Sequence, residues 1–244
     1  MQVLSANNKK VLIIIPVWNE EKKIGSVIRD LKKSLDYDLL VIDDGSTDNT
    51  SKEAINAGAP VVKHEKNLGV GAALRTGIKY GKKNGYTIIV PINGTGKTKI
   101  EEIPSLVEPI IKENYDFVQG SRYLKGGGWA NMPKHRKFGT KAYSFIFSIL
   151  VGKKITDGSS GIRAFKTSVI SHPRININQD WLNRYELEPY LYYKAVRLGF
   201  KTKEVPITIN YPSQKNVPYT KMRPLIGWWS ITRPIIYLRF GLKN

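Results

Sequence analysis

Five short apolar runs rich in β-branched residues punctuate the first half of the chain: "VLIII" (11–15), "LLVI" (39–42), "PVV" (60–62), "YTIIV" (86–90) and "DFVQ" (116–119). None alternates apolar with polar residues, which is the pattern of strands buried on both faces. Between the first two, Ile24, Val27, Ile28, Leu31 and Leu35 recur at the i, i+3, i+4, i+7 spacing of an amphipathic helix, with Asn19 placed to cap it. The stretches 49–57, 70–83 and 101–113 are expected helices between the later strands, and Gly85 marks one C-terminal stop. Strand and helix thus alternate, which predicts an α/β fold with a mostly parallel, doubly wound sheet and ligands at the carboxyl ends of its strands.

After residue 120 the pattern loosens into a Gly-rich basic loop, "GSRYLKGGGWANMPKHRKFG". An apolar helix "AYSFIFSILVG", the turn-rich "TDGSSGIRAF", a helix "RYELEPYLYYKAVRLG" and a strand "KTKEVPITI" follow. The expected division is a folded domain over 1–212 and a basic, aromatic segment over 213–244. That segment is interrupted by Pro224, Arg233, Pro234 and Arg239, so it suits a membrane interface better than a membrane span. Trp228, Trp229 and Tyr237 supply aromatic anchors there, and Arg223, Arg233 and Arg239 supply cations for anionic headgroups. The competing expectation is a final helix packed on the domain or on a partner subunit.

Thirty-nine Lys and Arg against 20 Asp and Glu give a formal charge of +19, so an anionic partner is expected. Nucleic acid ranks last, because no basic run interleaved with aromatics sits on a recognisable nucleic-acid module. The lack of Cys excludes disulfides and thiolate metal sites, and His64, His135 and His172 are too far apart for a short-spaced ligand pair. The apolar run before Pro16 is too short and too late for a secretory signal, so a cytoplasmic location is expected.

The loops that follow the strands are the ones to inspect: "PVWNEE", "DDGSTD", "HEKNLGVG" and "INGTGK". The Gly-Lys-Thr in "PINGTGKTK" is not a phosphate loop, which would need Gly where Pro91 stands, and Asn93 is discounted as a glycan acceptor in a cytoplasmic chain. "DDGSTD" alone reads as a turn with a helix cap. Its neighbours change that. In order and spacing, "IPVWNEE", "LLVIDDGSTDNT", "NLGVGAALRTGI", "VQGSRYLKGG", "MPKHRKFGT", "DGSSGIRAF" and "YELEPYLYYKAVRLGFKTKEVPI" resemble glycosyltransferase family 2, in its dolichyl-phosphate mannose synthase-like (polyprenyl-phosphate glycosyltransferase) branch.

The resemblance implies the GT-A fold, a Rossmann-like, mostly parallel mixed sheet flanked by helices, here followed by an amphipathic C-terminal segment. It implies transfer of a hexose, with inversion, from a UDP- or GDP-sugar to a dolichyl or undecaprenyl phosphate. By position, Pro16, Trp18, Glu20, Asp43 and Asp44 would hold the nucleotide, joined by Gly69, Asn93 and Thr95. Arg122, Arg136, Thr140 and Arg163 would bind the acceptor phosphate, for which a guanidinium fork is suited. Lys97, Arg122 and Arg136 would carry catalysis. A lipid acceptor further implies a peripheral position on the inner face of an anionic membrane, with a membrane-anchoring partner or a homo-oligomer.

The family's acidic Asp-x-Asp signature would bring Mg2+ or Mn2+, but Asn93 and Thr95 occupy the two acidic positions and Lys97 follows. Two aspartates plus a divalent cation sum to about zero charge, whereas Asn, Thr and Lys sum to about +1. One unit charge pair near 4 Å is worth roughly 4 kcal/mol at an effective dielectric of 20, so Lys97 is expected to steady the leaving diphosphate. Two alternatives remain. One is a degenerate, non-catalytic sugar-nucleotide binder. The other is a transferase acting on a saccharide hydroxyl, which would need a base such as Asp157, Glu186 or Glu188. A phosphate acceptor is already largely ionised near neutrality and needs none. The Gly126 to Gly128 run is expected to form a mobile lid.

Overall fold

The computed structural model describes residues 10–212 and 224–243, so Arg223 lies outside the described residues. The strands are β1 (Val11–Val17), β2 (Asp38–Asp43), β3 (Val61–Lys63), β4 (Ile88–Pro91), β5 (Phe117–Ser121), β6 (Gly128–Ala130), β7 (Arg163–Lys166), β8 (Thr202–Pro206) and β9 (Thr208–Asn210). The helices are α1 (Glu21–Ser34), α2 (Thr50–Asn56), α3 (Val70–Lys83), α4 (Ile103–Lys112), α5 (Lys134–Val151), α6 (Thr167–Ile170), α7 (Leu187–Arg197) and α8 (Pro224–Arg239). The main sheet runs β3-β2-β1-β4-β7-β5-β8, parallel except for β7, which is antiparallel to β4 and β5. β6 and β9 form a separate parallel ribbon.

Both faces of the sheet are covered, which is why the β1 run carries no polar position. Ile13 and Ile15 pack on one side with Ile24, Ile28 and Leu31 of α1 and Leu106 of α4. Leu12 and Ile14 pack on the other with Leu74 and Ile78 of α3, Phe147 of α5, Tyr190 of α7 and Ile235 of α8. Each such side chain, fully buried, contributes about 1.5–3 kcal/mol. The C-terminal helix α8 therefore closes part of the second core. It donates from Arg233 to Glu186 and accepts the Tyr143 hydroxyl at the Ile231 carbonyl (2.9 Å). Trp229, Phe240 and Leu242 nevertheless stay exposed. Among the described residues, no helix is long and apolar enough to cross a membrane.

Three local expectations change. Asn19 does not cap α1: it sits at φ 51°, and its side-chain oxygen accepts the Thr47 backbone N–H (3.0 Å), leaving Glu20 at the cap position. The Gly126 to Gly128 run leads into a paired ribbon rather than an unpaired loop. The "KTKEVPITI" strand is split at Ile207, with β8 completing the main sheet and β9 leaving it to pair with β6.

Candidate active site

The chain order reverses beside β1: β2 lies on one side and β4 on the other. Crevices for ligands open at the carboxyl ends of strands at such a switch point. Here the loops after β1, β2 and β4 converge. The Asp44 N–H bonds the Val17 carbonyl (2.8 Å), the Asn19 N–H bonds the Ser46 hydroxyl (2.9 Å), and the Glu20 N–H bonds the Thr50 hydroxyl (2.8 Å). Pro16 is half-buried in β1, and the Trp18 ring is 41% exposed at the loop that follows. From the β4 side, Gly94 is pressed onto this end of β1, where a Cβ would lie 2.4 Å from Val17 Cγ1.

Asp43 and Asp44 are both buried, and their carboxylates are used differently. Asp43 accepts the Ser46 N–H (2.8 Å) and the Ser51 hydroxyl, with Lys63 Nζ 3.9 Å away. Asp44 accepts the backbone N–H groups of Leu68 (2.9 Å) and Gly69 (2.8 Å) and pairs with His64 (2.8 Å), whose other ring nitrogen meets Thr76. Asp44 thus fastens the glycine loop to the end of β2.

The start of α3 is filled by the chain itself. The Ala72 N–H donates to the Asn183 carbonyl (3.0 Å), and Arg75 bonds the Asn183 side chain. A Cβ on Gly71 would lie 2.1 Å from the Leu182 carbonyl oxygen. The small residues of "NLGVG" therefore admit the 182–184 backbone. Gly71→Ala is expected to cost about 1–3 kcal/mol by overpacking, read from urea denaturation; unchanged stability would contradict this close approach.

The loop after β4 holds Asn93, Thr95 and Lys97. The Asn93 side-chain oxygen accepts both the Thr95 hydroxyl and its N–H, so the two form a neutral, self-bonded turn. Such a donor set does not fit a hard divalent cation, which calls for carboxylates and carbonyls aimed at one point. Among the described residues no group of three His, Cys, Asp or Glu could hold a metal. Lys97 is half-buried, and its carbonyl accepts the Asn210 N–H (2.9 Å) while Thr98 bridges Ile209. The loop is thereby stitched to β9.

Tyr211, the residue after β9, joins the basic residues. Its hydroxyl accepts from Arg122 Nη1 (2.7 Å), and the Arg136 guanidinium lies over its ring, 5.5 Å from the centroid. The structure thus gathers Lys97, Arg122 and Arg136 around the β9 end. It does not leave Arg122 open to an acceptor. The Arg122 side chain is 2% exposed, bonds Asp157 through Nε (2.7 Å) and Nη2 (2.8 Å), and also donates to Ser159 (2.7 Å). Burial alone would lower the Arg122 pKa, but the Asp157 charge and hydrogen bonds outweigh it and raise it.

Several other expected site residues have structural partners. Asp157 is 0% exposed in that ion pair, and Glu204 accepts the Thr156 and Asp157 N–H groups behind it. Burial pushes the Glu204 carboxyl up, against the pull of those N–H bonds. Glu186 is buried under Arg233, the Ser230 hydroxyl and the Arg184 N–H (2.9 Å). Neither Asp157 nor Glu186 is placed to take a proton from a sugar hydroxyl. Glu188 faces Arg163 at 3.4 Å, and burial raises its carboxyl while Arg163 lowers it. Arg163 is itself buried, donating to the Glu188 (2.8 Å) and Ser160 carbonyls. The buried Thr140 hydroxyl bonds Tyr123 and the Arg136 carbonyl (2.8 Å). Sequence reasoning missed Tyr211, Tyr123 and Trp129, which form an aromatic floor under Arg136, Lys137 and Lys141.

A doubly wound sheet with its loops gathered at the switch point defines an α/β protein with a ligand crevice at its strand ends, and comparison makes this specific. The description "Glycosyl transferase family 2" matches residues 12–172, and the chain belongs to that family. A UDP-N-acetylglucosamine–dolichyl-phosphate N-acetylglucosaminyltransferase of Methanococcus voltae is 32% identical over 221 residues, covering 84% of this chain and 87% of that one. An undecaprenyl-phosphate mannosyltransferase of Micrococcus luteus is 30% identical over 205 residues, 82% of this chain and 83% of that one. The crystal structure of glucosyl-3-phosphoglycerate synthase from Mycobacterium tuberculosis, in complex with Mn2+, UDP and glucosyl-3-phosphoglycerate, superimposes with a TM-score of 0.68 at 21% identity, covering 97% of this chain and 81% of that one. The fold is GT-A, and the protein is a glycosyltransferase.

Proposed function

We propose that this glycosyltransferase moves a hexose from a UDP- or GDP-sugar to a polyprenyl phosphate, inverting the anomeric carbon. The observation that carries the proposal is the convergence of the β1, β2 and β4 loops on one crevice, with cations on its acceptor side and with Asp157 and Glu186 held in ion pairs. The names of the Methanococcus and Micrococcus relatives support the same acceptor class. Trp18 holds the base, and the buried Asp43 fixes the turn beneath it through Ser46 and Ser51. Lys97 offsets charge on the leaving diphosphate. Arg136, on the Tyr211 ring, receives the acceptor phosphate, while Arg122 and Asp157 brace that wall from behind. An ionised phosphate oxygen attacks the anomeric carbon without a base.

The enzyme works peripherally on the inner face of a membrane. Phe138, Phe145, Ile146 and Ile149 leave an exposed apolar stripe on α5, and residues 134–154 contain Lys134, Arg136, Lys137, Lys141, Lys153 and Lys154 but no Asp or Glu. Apolar residues bracketed by cations fit an anionic interface. Phe145→Asp is expected to weaken sedimentation with anionic vesicles about tenfold, since one interfacial Phe is worth about 1.5–3 kcal/mol when buried. Unaltered partitioning would exclude this face.

The function is tested by incubating the protein with radiolabelled UDP- and GDP-hexoses and a short polyprenyl phosphate. Expected is a lipid-extractable glycosyl phosphate from one donor. Nucleotide binding without product from any pairing would leave the non-catalytic binder instead, which the neutral Asn93 and Thr95 turn favours.

A further inference from the structure

A second cationic site lies away from the crevice. Between the ends of α7 and α8 is a pocket of about 250 Å³ whose lining includes Arg174, Lys194, Arg197, Arg239 and Lys243, and no Asp or Glu. The N-terminal end of α7 adjoins the 182–186 turn that packs on α3. Arg197 is at the other end of α7, roughly 16 Å away at 1.5 Å per residue.

We propose that this pocket binds a phosphate-bearing anion, separately from the donor and acceptor of the transfer reaction. Some cations elsewhere in the fold do have a carboxylate partner: Lys166 pairs with Asp116, Lys203 with Glu113, Arg233 with Glu186 and Arg122 with Asp157. Among the described residues, none of the five pocket cations is in an ion pair. Gathering five positive charges around one cavity costs free energy that a multiply charged oxyanion offsets, and two of the three arginines suffice for forked phosphate contacts. Burial lowers the Lys194 pKa, and Arg174 lowers it further, so the crowding is felt within the pocket. Tyr193, Leu198 and Leu238 give the cavity an apolar side, and the exposed Phe240 and Leu242 flank Arg239 and Lys243. A lipid headgroup and a soluble phosphate monoester share the required chemistry, and the apolar rim favours the headgroup.

The test uses the full chain with Arg174 and Arg197, both exposed, replaced together by Ala. A control replaces Lys22 and Lys23, exposed on α1, so that the same charge is lost elsewhere. Probes are a phosphate monoester by calorimetry, and vesicles of phosphatidylcholine with and without phosphatidylglycerol by sedimentation. Expected is a roughly 30-fold weaker association with anionic vesicles for the pocket variant, from about 1 kcal/mol per basic residue near such a surface, with the control unchanged. Loss confined to the soluble monoester supports the site and assigns a soluble ligand. Equal losses in both variants, or none in either, overturn it. Transfer to a short, soluble polyprenyl phosphate is measured in parallel, so failure of the proposed reaction is distinguished from failure of this site.

Discussion

Replacing Lys97 by alanine is expected to lower kcat about 10²- to 10³-fold while nucleotide binding is retained, the loss typical when one preorganised donor to a developing anion is removed. The expectation rests on charge and placement. Asn93 and Thr95 bond each other, so they bring no negative charge to the diphosphate, and Lys97 is held half-buried in the same loop by the Asn210 to Lys97 backbone bond. Lys97→Arg should restore part of the rate, since it keeps the charge and changes the geometry. An alanine variant with undiminished kcat would remove Lys97 from the chemistry.

The second large effect concerns stability. Asp157→Ala leaves the Arg122 guanidinium buried with only the Tyr211 and Ser159 hydroxyls, and breaking a buried pair from one side costs about 3–5 kcal/mol. Urea unfolding should show that loss. The double replacement Arg122→Met with Asp157→Leu should recover much of it, because no charge is then stranded. A loss below about 1 kcal/mol in the single variant would mean that the pair is hydrated and comparable to a surface ion pair. Transfer activity in the double variant would show that Arg122 braces the acceptor wall and does not touch the acceptor.

Those two residues show where the sequence was informative and where it was not. The strands β1, β2 and β4 were legible because burial on both faces forces uninterrupted apolar runs, and α1 because its buried residues keep a helical period. β6 and β7 were not, since three or four residues carry no period and their pairing partners are distant in sequence, and the single strand expected over 201–209 hid the break between β8 and β9. The same distance explains the revised roles at the site. Arg122 and Tyr211 are 89 residues apart, and Arg122 and Asp157 are 35 apart. "GSR" and "TDGSSG" are recognisable separately, but nothing local says that one neutralises the other. Asn19 has the composition of a cap, yet a bond to Thr47, 28 residues away, takes its side chain.

The most direct measurement is transfer from the preferred nucleotide sugar to a short polyprenyl phosphate, to the corresponding polyprenol and to a simple saccharide, each with and without a chelator. Transfer to the phosphate alone, with the inverted anomer and the same rate under chelation, is the predicted result. Transfer to a hydroxyl acceptor, or a rate abolished by the chelator and restored by Mn2+ or Mg2+, would contradict it.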